Sequence, residues 1–344
     1  MPSENHVFFP FVAIVGQDEM KRALLLNIID PGIGGVLVRG EKGTAKSTAI
    51  RSLAQVLPET EQMEGCPFHC DPADTGNMCP ECAEKLASGE FNTVIVPMRV
   101  VELPLSATED RIVGTMDLEH VLQTGRRRFE PGVLAQANRN LLYVDEVNLL
   151  EDHIVDLLLD SAAMGTNYVE REGVSFSHPS KFILVGSMNP EEGELRPQLL
   201  DRFGLCVEVA GERSVDRRAA VVMRRLDFDR DPAAYTESCS ETTEDLSERI
   251  RLARERLDDV EVGMDIVVAA SEIAVHFDME GMRADITLIR AARANAAFEG
   301  RGAVVKEDLA AVAPLVLEHR VRRRPFENAS FDRRELEDFL RSLS

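Results

Sequence analysis

The chain has 344 residues, of which 44% are apolar, so it is long enough to bury the cores of two or three domains. Its formal net charge of −21 disfavours a nucleic-acid-binding protein, because a channel for a polyanion needs a surplus of Lys and Arg. No secretory signal pattern or membrane-length apolar stretch is visible, so we expect a soluble, cytoplasmic protein without a membrane partner.

Short apolar runs predict four buried β-strands, over residues 36–39, 93–97, 141–144 and 182–186. The segments between them are long enough for helices. This alternation predicts an α/β fold with a mainly parallel sheet that is covered on both faces. Just before the last run, residues 166–180 alternate in residue type around a glycine and predict a β-hairpin.

The first run leads into a glycine-rich turn at residues 40–47 and then into a predicted helix over 47–56. This order is typical of a phosphate-binding loop, in which backbone N–H groups face the phosphates and a lysine ammonium reaches the terminal ones. We assign that ammonium to Lys46 and the hydroxyl that coordinates magnesium to Ser47. Ala45 replaces the second motif glycine, and we expect it to be tolerated with a negative φ. The other expected nucleotide contacts are Gly40, Gly43, Thr44 and Thr48. A glycine-rich turn with a chance lysine is the alternative.

Four of the six cysteines follow in one short segment, as Cys66-x3-Cys70 and Cys79-x2-Cys82. Paired thiolates joined by a polar loop suit a tetrahedral structural Zn²⁺, and an iron–sulfur cluster uses the same ligands. Four unligated thiols in a mobile loop are the alternative. Cys206 and Cys239 lack such pairing and are interpreted as core and linker thiols.

The third and fourth apolar runs end in polar residues that suit nucleotide chemistry. Ligands of open α/β sheets lie beyond the carboxyl ends of the strands, so we expect Asp145 to hold the water shell of Mg²⁺ and Glu146 to polarise the attacking water. Asn189 is placed to orient that water, although Asn-Pro is also an ordinary turn. Arg202 is the candidate for an arginine supplied in trans to the γ-phosphate, with a salt bridge to Asp201 as the alternative.

The C-terminal part changes character at residues 227–244, where the sequence becomes polar and acidic and we place a linker between domains. Beyond it, helical spacing predicts an all-helical domain over 245–344. The helical segments are 246–257, 265–277, 288–299 and 306–319. The basic runs 126–128 and 320–324 have no interleaved aromatic residues, so we interpret them as solvated or subunit-interface charge and not as a nucleic-acid contact.

Together these residues resemble the AAA+ ATPase family, and longer strings closely resemble the I subunits of magnesium chelatases. The strings are 9–11, 14–17, 30–36, 145–150, 195–204 and 281–283. The resemblance implies a five-stranded parallel sheet in a nucleotide-binding domain over 1–226, followed by a helical lid. It also implies a helix-2 insert near 100–133 and identifies the hairpin at 166–180 as the one that precedes the sensor-1 strand. The cysteine-rich insert at 63–90 departs from the family pattern.

By the same resemblance, Ile14 and Val15 flank the adenine, Asn189 is sensor 1, Arg202 is the arginine finger and Arg283 is sensor 2. The family implies ATP with Mg²⁺, a hexameric ring, a D-type partner and a large subunit that holds the porphyrin. ATP hydrolysis would then drive the insertion of magnesium or cobalt into a tetrapyrrole. Two alternatives remain: a DNA translocase like the minichromosome-maintenance helicases, whose phosphate loop resembles the one with Ala45, and a MoxR-like chaperone of metalloproteins.

Overall fold

A computed structural model describes residues 7–116, 129–171, 174–321 and 333–342. Its strands, in chain order, are β1 (Val36–Gly40), β2 (Glu59–Met63), β3 (Thr93–Pro97), β4 (Val100–Leu103), β5 (Gly114–Met116), β6 (Phe129–Pro131), β7 (Leu141–Val144), β8 (Thr166–Arg171), β9 (Val174–Pro179), β10 (Ile183–Met188) and β11 (Leu205–Val209). Five of them form one sheet with the order β11-β1-β10-β7-β4. The predicted α/β fold with a five-stranded parallel sheet is confirmed.

The helices are α1 (Asp18–Ile29), α2 (Lys46–Ser52), α3 (Pro80–Ser88), α4 (Glu109–Val113), α5 (Val133–Ala137), α6 (Asp152–Met164), α7 (Pro197–Leu200), α8 (Val215–Arg230), α9 (Pro232–Ser238), α10 (Ser240–Arg256), α11 (Met264–His276), α12 (Arg283–Phe298), α13 (Lys306–Leu317) and α14 (Arg333–Ser342). Short 3₁₀ turns lie at 11–13, 31–33, 53–55, 147–149, 190–192 and 257–259. Among the described residues, none of the helices combines the length and the apolar character that crossing a bilayer requires.

The chain divides into two compact units, Met1–Val56 with Met188–Ser344, and Leu57–Ser187. In the first unit, β1 and β11 pair in parallel, with Val36 opposite Leu205. The C-terminal helices of this unit pack closely because α12 presents a run of fully buried alanines, among them Ala291, Ala292 and Ala296. Small side chains let neighbouring helix backbones approach one another and still exclude voids.

In the second unit, β7 lies between two parallel neighbours. Leu141 is opposite Val100 of β4 on one side and Ile183 of β10 on the other. All four residues of β7 are buried, as expected for a strand covered on both faces. The hairpin β8–β9 pairs Thr166 with Pro179, over the residues where the sequence predicts a hairpin.

The prediction for residues 93–97 was partly wrong. They form a strand, but β3 pairs antiparallel with β2 in a separate two-stranded sheet. Its side chains alternate between exposed and half-buried, and Ile95 is 66% exposed. The edge of the main sheet is β4 instead, at residues that we expected to begin the helix-2 insert. A short apolar run does not indicate which strand it pairs with. The sequence therefore did not predict that β4, and not β3, belongs to the parallel sheet.

Residues 227–244 are not an irregular linker, because all of them except Asp231 and Cys239 lie within α8, α9 and α10. The acidic composition concealed local helix signals: Asp231 caps α9 by accepting a hydrogen bond from the Ala234 N–H, at 3.0 Å, and Pro232 occupies the first turn. A small aromatic cluster holds the corner, with the Phe9 ring 5.3 Å from that of Phe228 and 5.8 Å from that of Tyr235. The basic run 126–128 lies outside the described residues, as does 322–324 of the C-terminal run.

Candidate functional site

The phosphate loop joins β1 to α2 by a series of unusual backbone conformations. Gly40 has φ 158° and Gly43 has φ 81°. A Cβ on Gly40 would lie 2.2 Å from the carbonyl oxygen of Val209, so only glycine fits beside β11 at this position. Lys46 is the first residue of α2, where its ammonium donates to the carbonyls of Gly40 and Glu41. Lys46 and Ser47 are half-buried and Thr48 is exposed, while Thr44 donates to the Glu41 carbonyl at 2.9 Å.

The expectation of a negative φ at Ala45 was wrong. Ala45 has φ 63° and ψ 18°, in the left-handed region, and is the N-cap of α2. The loop reverses direction at this point so that its N–H groups converge. The turn requires the left-handed conformation at this position, whether the residue is glycine or alanine. An L-residue in this region costs roughly 1–2 kcal/mol. The loop therefore carries strain at the position where the usual motif has glycine.

Asn189 lies at the end of β10 in the same unit as the phosphate loop. It is buried, and its side chain accepts from the Glu191 N–H at 3.3 Å. Glu192 forms an ion pair with Lys42 at 2.5 Å, and this hydrogen bond lowers the pKa of Glu192. The side chain of Asn189 also hydrogen-bonds Glu192. Glu192 thus links Asn189 to the phosphate loop, a connection that the sequence analysis missed.

In the second unit, β7 ends at Asp145 and Glu146. Two hydroxyl groups donate to the same carboxylate oxygen of Asp145, from Tyr143 at 2.7 Å and from Ser187 at 2.5 Å. The Ser187 oxygen also accepts from the Glu146 N–H at 3.0 Å. Glu146 has φ 55°, a conformation that non-glycine residues rarely adopt outside functional sites. These hydrogen bonds fix the Asp145 carboxylate and the backbone of Glu146 within their own unit.

Tyr143 and Ser187 were not predicted as site residues. Tyr143 lies two residues before Asp145, and in an extended strand alternate residues share a face. Ser187 precedes the predicted Asn189 by two residues on β10. The two-residue period of the strands was the signal that would have identified both.

Arg202 lies in a turn between α7 and β11, in the first unit. The neighbouring Asp201 forms ion pairs with Arg283 and, at 3.2 Å, with Arg320. Arg283 is the first residue of α12, at the helix start where the sequence placed it. The interpretation of Arg320 as a solvated charge was wrong, because only 3% of its side chain is exposed.

Ile14 and Val15 follow the first 3₁₀ turn and precede α1. The Ile14 side chain is 8% exposed, and its carbonyl accepts from the Lys21 ammonium. Burial lowers the pKa of Lys21. Arg224 of α8 donates to the neighbouring Ala13 carbonyl at 2.8 Å, so side chains from two helices fix this segment.

The four clustered cysteines converge in the second unit. All four are buried, and their sulfur atoms lie within 4.8 Å of one another. The Sγ atoms of Cys66 and Cys79 are 3.8 Å apart. Backbone N–H groups donate to two of the sulfurs, from Phe68 to Cys66 at 3.4 Å and from Cys79 to Cys70 at 3.2 Å. Hydrogen bonds from the Cys70 and Cys79 thiols lower the pKa of Cys66, and burial raises that of Cys82.

The cysteine loop packs on the base of the β8–β9 hairpin. The Phe68 ring lies 5.6 Å from Phe176 and 4.9 Å from His178 of β9. Asn77 donates to the Gly165 carbonyl at 3.2 Å, immediately before β8 begins. The cluster and the hairpin are therefore parts of one packed region.

The predicted residues fall into two sets. The first unit contains Ile14, Val15, the phosphate loop, Asn189, Arg202 and Arg283, and the second contains Asp145, Glu146 and the four cysteines. Within each unit the contacts above connect several of these residues. Cys206, expected in the core, is buried in β11, and burial raises its pKa to about 12.

Comparison with known proteins gives consistent matches. The profile of the family described as "Magnesium chelatase, subunit ChlI" matches residues 117–228, and that of the "AAA lid domain" matches residues 268–339. The magnesium-chelatase subunit ChlI homolog of Methanocaldococcus jannaschii is 53% identical over 96% of this chain and 90% of its own length. The magnesium-chelatase 38 kDa subunit of Acidiphilium rubrum is 51% identical, with 93% of each chain covered.

Among solved structures, a chain from the complex between subunits BchI and BchD of magnesium chelatase has 48% sequence identity and a TM-score of 0.55. The match covers 93% of this chain and 98% of that one. Sequence and fold comparisons therefore point to the same group of proteins.

Proposed function

The chain belongs to the magnesium chelatase I-subunit family of AAA+ ATPases, and from this we propose that it is the ATP-hydrolysing motor of a chelatase that inserts magnesium or cobalt into a tetrapyrrole. The observation that carries the proposal is the backbone of the phosphate loop. Gly43 and Ala45 have positive φ, and Lys46 follows at the start of α2. Backbone N–H groups in such a turn can bind an anion together with a lysine ammonium, which supports the proposal.

We assign the chemistry of ATP hydrolysis to the following residues by their roles in the family. Lys46 would bind the terminal phosphates, and Ser47 and Asp145 would hold Mg²⁺. Glu146 would polarise the attacking water, which Asn189 orients. Arg202 and Arg283 would stabilise the charge that develops on the γ-phosphate, and Ile14 and Val15 would flank the adenine. Tyr143 and Ser187 support the assignment of Asp145, because their two hydrogen bonds orient its carboxylate.

We further propose that the protein works in the cytoplasm as a hexameric ring with a D-type subunit and a large porphyrin-binding subunit. In such a ring Arg202 acts on the nucleotide of a neighbouring copy. The domain division that we propose gives residues 1–226 to nucleotide binding and 245–344 to the lid, in agreement with the lid profile over 268–339.

Co-purification tests the proposal most directly. We expect the tagged protein, loaded with ATP and Mg²⁺, to capture a large chelatase subunit and a D-type subunit, and the Lys46→Ala variant to capture less of both. Metal insertion into a porphyrin by the reconstituted mixture should require ATP. Capture of DNA and replication proteins instead would favour a translocase and contradict the proposal.

We also propose that Cys66, Cys70, Cys79 and Cys82 hold a resident structural Zn²⁺. A tetrahedron of Zn–S bonds of about 2.3 Å places the sulfurs about 3.8 Å apart, and the Cys66–Cys79 separation is 3.8 Å. The backbone N–H donors to Cys66 and Cys70 would orient these ligands. An iron–sulfur cluster binds its thiolates through separate irons and therefore needs wider spacing. Bound zinc would supply no reaction step, only a fixed link across the loop.

Elemental analysis of the purified protein distinguishes these metals. We expect one zinc per chain, and tetrahedral thiolate absorption bands after replacement of zinc by Co²⁺. Stoichiometric iron with acid-labile sulfide would identify an iron–sulfur cluster, and a metal-free protein with full stability would contradict any resident metal.

A further inference from the structure

Arg320, in the turn that follows α13, makes five hydrogen bonds. Its guanidinium and Nε together carry five N–H donors, which is all that an arginine has. They donate to the Asp201 carboxylate at 3.2 Å, to the carbonyls of Gly204 at 3.0 Å, Asp201 at 3.1 Å and Phe203 at 2.7 Å, and to that of Val316. Only Val316 belongs to its own helix; the other four acceptors lie in the turn 201–204.

That turn is the one that carries Arg202. The two carbonyls that Arg320 binds through Nη2 belong to Asp201 and Phe203, the residues on either side of Arg202. His319 contacts the same turn, through Nε2 to the Phe203 carbonyl at 3.1 Å. A Cβ on Gly204 would lie 2.0 Å from the Ile33 carbonyl oxygen, so the far end of the turn packs closely against Ile33 and has room only for glycine.

Asp201 extends the network to Arg283. One carboxylate oxygen of Asp201 accepts from Arg320, and the other accepts from Arg283. Arg320 therefore fixes the backbone around one arginine and shares a carboxylate with a second. Burial lowers the pKa of Arg320 to about 10, which still leaves it charged at neutral pH.

We propose that Arg320 is the positioning residue of the arginine finger, holding the turn so that Arg202 projects correctly toward the nucleotide of a neighbouring subunit. This inference rests on the proposed role of Arg202. Arg320 would not touch the nucleotide. It would act by keeping the backbone on both sides of Arg202 in one conformation, since misplacement of a reacting group by about 1 Å costs on the order of 100-fold in rate.

Arg320→Lys tests the proposal, because lysine keeps the charge but cannot reach five acceptors in a planar fork. We expect kcat for ATP to fall by about 10- to 100-fold, with KM for ATP and the affinity of the subunit's own phosphate loop within about threefold of the parent. Arg301→Lys is the matched control: Arg301 pairs with buried Asp308 at the start of α13 and makes no described contact with the turn. We expect it to lower stability and to leave kcat unchanged.

Subunit mixing separates positioning from a general defect. Lys46→Ala subunits have an intact Arg202 but no working phosphate loop, so adding them to Arg320→Lys subunits should restore hydrolysis on the Arg320→Lys loops. As a reference, Arg202→Ala subunits are mixed with Lys46→Ala subunits in the same way, and the recovery of hydrolysis is compared. Recovery with Arg202→Ala but not with Arg320→Lys would overturn the positioning role alone. If neither pair recovers, Arg202 does not act in trans, and both proposals fail.

A second variant keeps the test decisive if Arg320→Lys does not fold. Asp201→Asn removes the carboxylate that Arg320 and Arg283 share, but it retains the backbone carbonyls. We expect a smaller fall in kcat, of about fivefold to tenfold, and recovery on mixing with Lys46→Ala subunits. An unchanged kcat, or a fall that mixing does not relieve, would contradict the proposal.

Discussion

The phosphate loop and the cysteine loop hold their shapes by different means. The phosphate loop relies on backbone conformation: positive φ at Gly43 and Ala45 and the close approach of Gly40 to Val209. The cysteine loop relies on side chains, because four buried sulfurs must meet at one point. A side-chain replacement that preserves φ therefore leaves the first loop intact, whereas loss of any one thiol removes a ligand from the second.

This difference also determines which substitutions each loop tolerates. Ala45 replaces a motif glycine, and the loop keeps its conformation at the cost of strain. The cysteine loop needs all four thiols, since two or three would not close a tetrahedral thiolate site. The following variants test this contrast, beginning with the largest expected effect.

Lys46→Ala should abolish nucleotide binding, because it removes the ammonium that would neutralise the charge of the terminal phosphates. Isothermal titration with ATP and Mg²⁺ measures the loss. Circular dichroism and the zinc content should match those of the parent, since the substitution changes neither the backbone of the loop nor the four thiols. Retained ATP affinity would mean that backbone groups alone bind the nucleotide.

Glu146→Gln should separate binding from chemistry. We expect ATP to bind with unchanged affinity, and kcat to fall by about 100- to 10,000-fold, because the amide cannot accept a proton from water. Single-turnover hydrolysis measures the rate of the chemical step, and equilibrium binding measures the affinity for ATP. The Glu146 N–H still reaches Ser187 in this variant, so the turn should keep its form. A loss of binding as large as the loss of turnover would contradict the assigned role.

Cys82→Ser should remove the metal and weaken the second unit without affecting the phosphate loop. We expect zinc content to fall toward zero and the free energy of unfolding to fall by about 3 kcal/mol or more. Hydrogen exchange should quicken first in β8–β9, where Phe68 and Asn77 make their contacts. Cys239→Ser, outside the cluster, is the matched control and should retain zinc. Full zinc occupancy in Cys82→Ser would exclude the four-thiolate site.

Ala45→Gly should have the smallest effect of these variants, and it should stabilise the protein. Glycine adopts φ 63° without steric cost, so relief of strain, less the entropy of a freer unfolded chain, leaves a gain of up to about 1 kcal/mol. Ala49→Gly, in the buried interior of α2, should lose about 1 kcal/mol. Urea unfolding of both variants measures these two changes in the free energy of unfolding, which should have opposite signs. A destabilised Ala45→Gly would show that the loop prefers alanine for another reason.

Much of the fold was predictable because its determinants are local. Apart from Arg39, the runs at 36–39, 141–144 and 182–186 are uncharged and mostly apolar, and both faces of these strands are covered, so the sequence pattern and the burial agree. The run at 93–97 is equally apolar, but its partner is β2 and not the main sheet. Strand pairing depends on tertiary contacts that a five-residue run does not encode.

The site was predictable where spacing along the chain carries the chemistry. Lys46, Asp145 and the four cysteines follow from short patterns of this kind. The role of Arg320 could not be predicted in this way, because it depends on contacts with a turn that lies more than a hundred residues earlier in the chain. In sequence it is only the first member of a basic run, and such runs are usually solvated.

The three consecutive helices over Val215–Arg256 leave almost no slack in the backbone. Only Asp231 separates α8 from α9, and only Cys239 separates α9 from α10. Helices joined by single residues cannot lengthen to absorb a displacement. A displacement of one helix would therefore change the angle between consecutive helices, at Asp231 and at Cys239.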